Sequence, residues 1–147
     1  MPITPDYALA LDVGSKRIGV AIASLSFKLP RPLCTLAHDN VFFERLNSLI
    51  KTEAIGVLVV GLPRGLEGQE TVQTKYVRDF VDQLKTHIDL PIYFQDEALT
   101  STRAEAELNS RGKIYQKGDI DALAATYILE DYLIQPQGDQ LNGNLHC

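Results

Sequence analysis

Hydrophobic positions along the chain fall into short unbroken runs separated by stretches with helical spacing. Tyr7–Leu11 and Ile18–Ala23 are apolar runs of strand length, with Gly14, Ser15, Lys16 and Arg17 between them. They read as a β-hairpin with Asp12 near its turn. Pro30 and Pro32, ahead of Leu33-Cys34-Thr35-Leu36, predict a third strand kept short or at an edge, because proline offers no N–H to a ladder. Val41, Phe42, Leu46, Leu49 and Ile50 recur at helical spacing behind Asp39 or Asn40 as cap. Ile55–Val60 is wholly apolar and rich in β-branched residues, the pattern of a central strand covered on both faces. The loop from Gly61 to Gly68 is glycine-rich but lacks the Gly-Lys-Ser/Thr ending of a Walker loop.

From Glu70 to His87 the positions Val72, Tyr76, Val77, Phe80, Val81 and Leu84 form one apolar stripe. Lys75, Arg78 and Lys85 on its other face read as a solvated helix face, with Lys75 and Arg78 near enough to the glycine-rich loop to help hold its backbone. Leu90–Phe94 reads as a strand running into Gln95, Asp96 and Glu97. A helix follows from Leu99 to Leu108, with Thr100, Ser101 or Thr102 as cap and Glu105 placed for a capping box with Thr102. Arg111, Gly112, Lys113 and Lys117 make a basic connection to a last helix, Asp119–Ile134, expected to be apolar on one side through Ile120, Leu123, Ala124, Tyr127, Ile128 and Leu133. Asp121 lies in its first turn, where the helix dipole by itself favours a carboxylate.

At 147 residues the chain has the length of one domain. A net charge of −5 argues against coating nucleic acid by bulk electrostatics, yet leaves room for an acidic metal site with a local basic rim. The two cysteines, Cys34 and Cys147, have neither metal-ligand spacing nor a disulfide framework, and both are read as reduced and non-catalytic. With no run of membrane-spanning length and no signal-peptide pattern at the N-terminus, a cytoplasmic protein is expected. What stands out is the acids. A strand–helix–strand order implies parallel crossovers, whose ligands collect at the carboxyl ends of the strands. Asp12 and the Asp96-Glu97 pair would then share one sheet edge, with Asp121 as a third carboxylate. Such a set suits hard Mg²⁺ or Mn²⁺, which prefer oxygen ligands and leave positions open for phosphate and water.

The run Leu11-Asp12-Val-Gly-Ser-Lys-Arg-Ile-Gly-Val-Ala21, with Val60-Gly-Leu-Pro63 and Gly68, Asp96-Glu97-x-Leu-Thr-Ser101 and Lys117-x-x-Ile-Asp121-Ala-x-Ala-Ala125-x-x-Ile-Leu129, closely resembles the YqgF family, also called RuvX. Its members are described as Holliday junction resolvases and as nucleases that mature the 5′ end of pre-16S ribosomal RNA. The resemblance covers about residues 7 to 134. It implies an α/β, RNase H-like fold: a five-stranded mixed sheet, first three strands antiparallel, flanked by helices. Residues 1–135 would form a single nuclease domain and 136–147 a flexible C-terminal tail. The resemblance also implies that Asp12, Glu97 and Asp121 are the catalytic, metal-binding acids, Glu97 being taken because the family's acid stands second in the Asp-Glu pair.

The family's arginine after that pair is Ala98 here, and Arg103 is the residue placed to replace it. Arg64, Gly65 and Glu67 also depart from the usual glycine-loop sequence, and Asp119 adds an acid. Lys16, Arg17, Arg64, Arg103, Lys113 and Lys117 are the candidate phosphate contacts, each weighed against an ordinary solvated charge. The expected partner is structured RNA or branched DNA, with no membrane, and the protein a monomer or homodimer. A sugar-kinase-like ATPase also uses Asp-x-Gly-Ser after a strand, but needs a second large domain that this length does not provide. A catalytically weak RNA-binding assembly factor is the third reading, to which Ala98 and the acidic balance lend weight.

Overall fold

The computed structural model describes residues 6–97, 106–107, 109–110 and 117–134. The start of the helix expected from Leu99, with its caps, Ala98, Arg103, Lys113 and the tail lie outside the described residues. The elements run β1 (Tyr7–Val13), β2 (Arg17–Ser24), β3 (Arg31–Ala37), α1 (Phe42–Thr52), β4 (Ile55–Pro63), α2 (Val72–His87), β5 (Ile92–Glu97) and α3 (Lys117–Leu133). The five strands form one sheet in the order β3-β2-β1-β4-β5. β1 pairs antiparallel with β2, and β2 with β3, while β4 runs parallel to β1 and β5 parallel to β4. The expected mixed sheet with three antiparallel leading strands is therefore present.

Several boundaries differ from expectation for physical reasons. Asp12 sits inside the ladder, paired with Gly19, because the strands continue to Val13 and from Arg17. β3 is an edge strand as predicted, yet starts at Arg31 and contains Pro32. The register shifts there, from Val20↔Cys34 to Ala21↔Pro32, so the irregularity absorbs the missing donor. Neither Asp39 nor Asn40 is the N-cap of α1. That position is Val41, and the Asp39 carboxylate accepts the Val41 N–H at 3.1 Å, serving the turn before the helix. α2 begins at Val72 rather than Glu70, with Thr71 as cap in a reciprocal capping box with Thr74. The Gln95-Asp96-Glu97 segment belongs to β5 itself.

Strand alternation sorts the side chains into two layers. On one face Leu9, Leu11, Ile18, Val20, Leu58 and Val60 pack with Phe42 and Leu46 of α1 and Val77, Phe80, Val81 and Leu84 of α2. Burying each such side chain contributes roughly 1.5–3 kcal/mol. On the other face Ala8, Ala10, Ala21, Ala23, Val57 and Val59 meet Ala125, Ile128, Leu129 and Leu133 of α3. The alanines keep this second layer thin and bring α3 close to the sheet. Contrary to the expected single stripe, α3 is buried on more than one side: Leu123 and Ala124 form a separate cluster with Ile120 and Tyr127.

Candidate functional site

The same alternation determines where the acids go. Two residues beyond Ala8 and Ala10, on the α3 side of β1, stands Asp12. Its neighbours across the sheet carry no side chain. Gly19 is its direct partner on β2, and Gly61 on β4 follows Val60, the partner of Leu11.

Each glycine leaves room that another part of the site fills. A Cβ on Gly19 would lie 2.0 Å from the Asp121 carbonyl oxygen and 2.9 Å from the Ala122 nitrogen. Only glycine lets the start of α3 rest on β2 at this level. A Cβ on Gly61 would lie 2.4 Å from Ile128 Cδ1 and 3.0 Å from Glu97 Oε1. The Glu97 carboxylate therefore lies over Gly61, on the same side of the sheet as Asp12. Asp96, the preceding strand residue, is exposed and pairs with Arg64 at 3.4 Å. The two acids left open by composition are thus separated by the period of the strand.

Burial first, then the charge of Glu97, then that of Asp121 hold the Asp12 carboxyl well above its ordinary value of 3.8. Burial penalises the charged form and two neighbouring carboxylates repel it. Asp121 has a counter-ion in Arg17, whose Nε donates to Oδ2 at 2.6 Å, the two side chains being 40% and 20% exposed. Among the described residues, no three Asp, Glu, His or Cys side chains are gathered closely enough to ligate one ion as they stand. The donor set is nevertheless hard-oxygen in character, and its accumulated negative charge is what a divalent cation would relieve.

The remaining candidate cations fare differently. Lys16 is exposed on the β1–β2 turn. Arg64 is committed to Asp96 and, at 3.3 Å, to Glu70. Lys117 opens α3, while Arg103 and Lys113 lie outside the described residues. Arg78 grips the side chain of Glu70, just beyond the glycine-rich loop, through Nε at 3.1 Å and Nη2 at 2.6 Å. That grip keeps the Glu70 carboxyl below its usual range. Lys75 instead pairs with Asp79 along its own helix. Burial and nearby Glu53 raise the Cys34 thiol above 9.0, in keeping with a non-nucleophilic cysteine.

Three residues escaped the sequence reading. Gly19 and Gly61 carried a usable signal, since glycine inside an apolar strand marks a close approach. His38 had none. Its Nδ1 donates to the Gly14 carbonyl at 2.8 Å, with Tyr76 Oη 3.2 Å from the same nitrogen, and its main-chain N–H donates to the Lys16 carbonyl at 2.9 Å. The ring packs against Phe42 and Phe80. His38 thereby ties the turn that carries Arg17 to the α1/α2 side of the core.

A five-stranded sheet in this order, with acids ending β1 and β5 beneath the start of a covering helix, defines an RNase H-like domain of the nuclease type. The chain belongs to the RuvX family, described as "Holliday junction resolvase", whose pattern matches residues 6–135. A Sulfurihydrogenibium protein named "Putative pre-16S rRNA nuclease" is 43% identical over 127 residues, covering 85% of this chain and 88% of its own. A protein of the same name from Crocosphaera subtropica is 41% identical over 132 residues, covering 87% and 92%. Among solved structures, Thermus thermophilus RuvC superposes with a TM-score of 0.53 at 14% identity, covering 90% of this chain and 96% of that one, a likeness of fold. Among the described residues no helix is long and apolar enough to cross a membrane.

Proposed function

We propose that the chain is a divalent-metal-dependent endonuclease that hydrolyses phosphodiester bonds at the 5′ end of pre-16S ribosomal RNA, in the cytoplasm. Asp12, Glu97 and Asp121 hold Mg²⁺ or Mn²⁺. The observation that carries this is the elevated Asp12 carboxyl, set between two glycines and facing the charges of Glu97 and Asp121. Carboxylates crowded in this way repel one another until a cation joins them. Membership in a nuclease family supports hydrolysis, and the name shared by the relatives over most of their length supports RNA as substrate.

A divalent ion there supplies a lowered pKa for an attacking water and charge stabilisation for the leaving oxygen. The chain's own contribution is placement. Asp12 presents its carboxylate from the middle strand of the sheet, Glu97 from an edge strand and Asp121 from a helix whose position Gly19 permits. Lys16 on the β1–β2 turn meets the phosphate backbone, which is read largely without regard to sequence.

The test is cleavage of a labelled precursor rRNA fragment and a four-way DNA junction, each with Mg²⁺, Mn²⁺ or EDTA, beside Asp12→Asn. Metal-dependent cutting of the RNA, abolished by the substitution, is the expected result. Paired cuts in the junction alone would assign the protein to recombination. Binding of RNA by folded wild-type protein without any cutting would make it an assembly factor.

A further inference from the structure

Among the described residues, Asp121 already has a cation supplied by the protein itself. Arg17 Nε lies 2.6 Å from Asp121 Oδ2, the shortest donor–acceptor separation among the ion pairs described, matched only by Arg78 and Glu70 on the surface. Arg17 is the first residue of β2, two positions before Gly19, on which the Asp121 main chain rests. Backbone contact thus brings Asp121 within reach of the guanidinium, and the carboxylate is directed to an arginine rather than gathered with Asp12 and Glu97 around one point.

We propose that Arg17 is an exchangeable counter-ion. It neutralises Asp121 while the acidic site lacks a divalent cation, and releases the carboxylate when the cation enters. This rests on the metal-site reading above and adds to it a competitor for the third ligand. The pair is suited to exchange. Its charge-assisted hydrogen bond is strong enough to hold one geometry. With Arg17 40% exposed, however, water can receive the guanidinium when it leaves, so release strands no buried charge. His38 fixes the turn through Gly14 and Lys16, so the movement is confined to the Arg17 side chain. Once released, the guanidinium stands at the rim of the site, available to a phosphate.

Two measurements test this without recourse to activity. The first is Mn²⁺ affinity of the folded wild type, Arg17→Gln and Arg17→Lys, from the paramagnetic signal of free ion, with Asp12→Asn marking binding elsewhere. Removing the competitor is expected to tighten Mn²⁺ binding about fivefold in Arg17→Gln, and less in Arg17→Lys, which keeps the charge. The second uses wild-type protein alone. The Arg17 Nε–H resonance, assigned by its absence from Arg17→Lys, should be protected in EDTA and lose that protection on titration with Mg²⁺. Equal or weaker Mn²⁺ affinity in Arg17→Gln, or a protected resonance that persists at saturating Mg²⁺, would overturn the exchange and leave the metal site standing. If the wild type takes up no Mn²⁺ beyond that of Asp12→Asn, the metal-site reading fails, and the exchange with it.

Discussion

Asp12 and Gly19 face each other across the β1–β2 ladder, and the volume a side chain at position 19 would occupy is taken by the main chain of Asp121. The acid and the helix that brings another acid to it are therefore linked through a residue with no side chain.

Gly19→Ala and Gly61→Ala should consequently fail in different ways. At position 19 the added carbon meets backbone at 2.0 Å, which cannot yield without moving α3. A loss of about 3 kcal/mol or more is expected, at the upper end of overpacking costs. At position 61 it meets the tip of Ile128 and the Glu97 carboxylate, both able to turn aside. There the expected cost is about 1 kcal/mol, with a disproportionate fall in nuclease activity. Urea denaturation alongside cleavage rates separates the two; equal effects on both quantities would contradict it.

Asp12→Asn should stabilise the metal-free protein near neutral pH. The folded carboxyl titrates above its ordinary 3.8, so between the two values the native state binds more protons than the unfolded state. That contribution to stability is present below the unfolded pKa and is lost as pH rises through the folded one. Thermal unfolding in EDTA should show wild type weakening relative to Asp12→Asn across that rise. Parallel pH profiles would show that Asp12 carries no such penalty.

Thr74 is fully buried, accepts the Thr71 N–H at 2.9 Å and donates its hydroxyl to the Pro63 carbonyl. It joins the last residue of β4 to the start of α2. Thr74→Val keeps the shape but leaves both partners unmatched, for an expected loss of about 1–3 kcal/mol. Thr74→Ser should recover most of it. If Val and Ser variants melt alike, the hydroxyl is not what holds the junction.

His38→Phe retains an aromatic ring against Phe42 and Phe80 while deleting the bond to Gly14. Stability is expected to fall by about 1 kcal/mol, and amide exchange in residues 14–17 to quicken. Unchanged exchange there would mean that the main-chain bond from His38 to Lys16 suffices.

Much of this was legible from residue order. The spacing Ala8-x-Ala10-x-Asp12 carries the α3 face straight to the acid, and Gly19-x-Ala21-x-Ala23 runs the matching row on β2. The apolar runs located every strand, and Pro32 correctly marked an edge. What order alone could not convey were side-chain choices made between distant segments. Asp39 is as good a cap by type as Thr71, but only Thr71 meets a partner at the right place in three dimensions. Arg17 reads as a surface phosphate contact until its partner 104 residues away is in view. The one-sided reading of α3 fell short because its expected stripe divides between two clusters, Leu123 and Ala124 with Ile120 and Tyr127 in one and Ile128 and Leu133 in the other, where Ala125 and Leu129, outside that stripe, are buried as well.

The two strand-borne acids, Asp12 and Glu97, come from strands of very different security. β1 is flanked on both sides, whereas among the described residues β5 is hydrogen-bonded to β4 alone, at the sheet's margin. Fraying of a border strand costs far less than global unfolding. Peeling β5 away would remove Glu97 while leaving the layer of Leu9, Leu11, Phe42 and Phe80 intact. Warming or mild denaturant should therefore silence the enzyme while its circular dichroism is still largely native, and the loss should reverse on cooling.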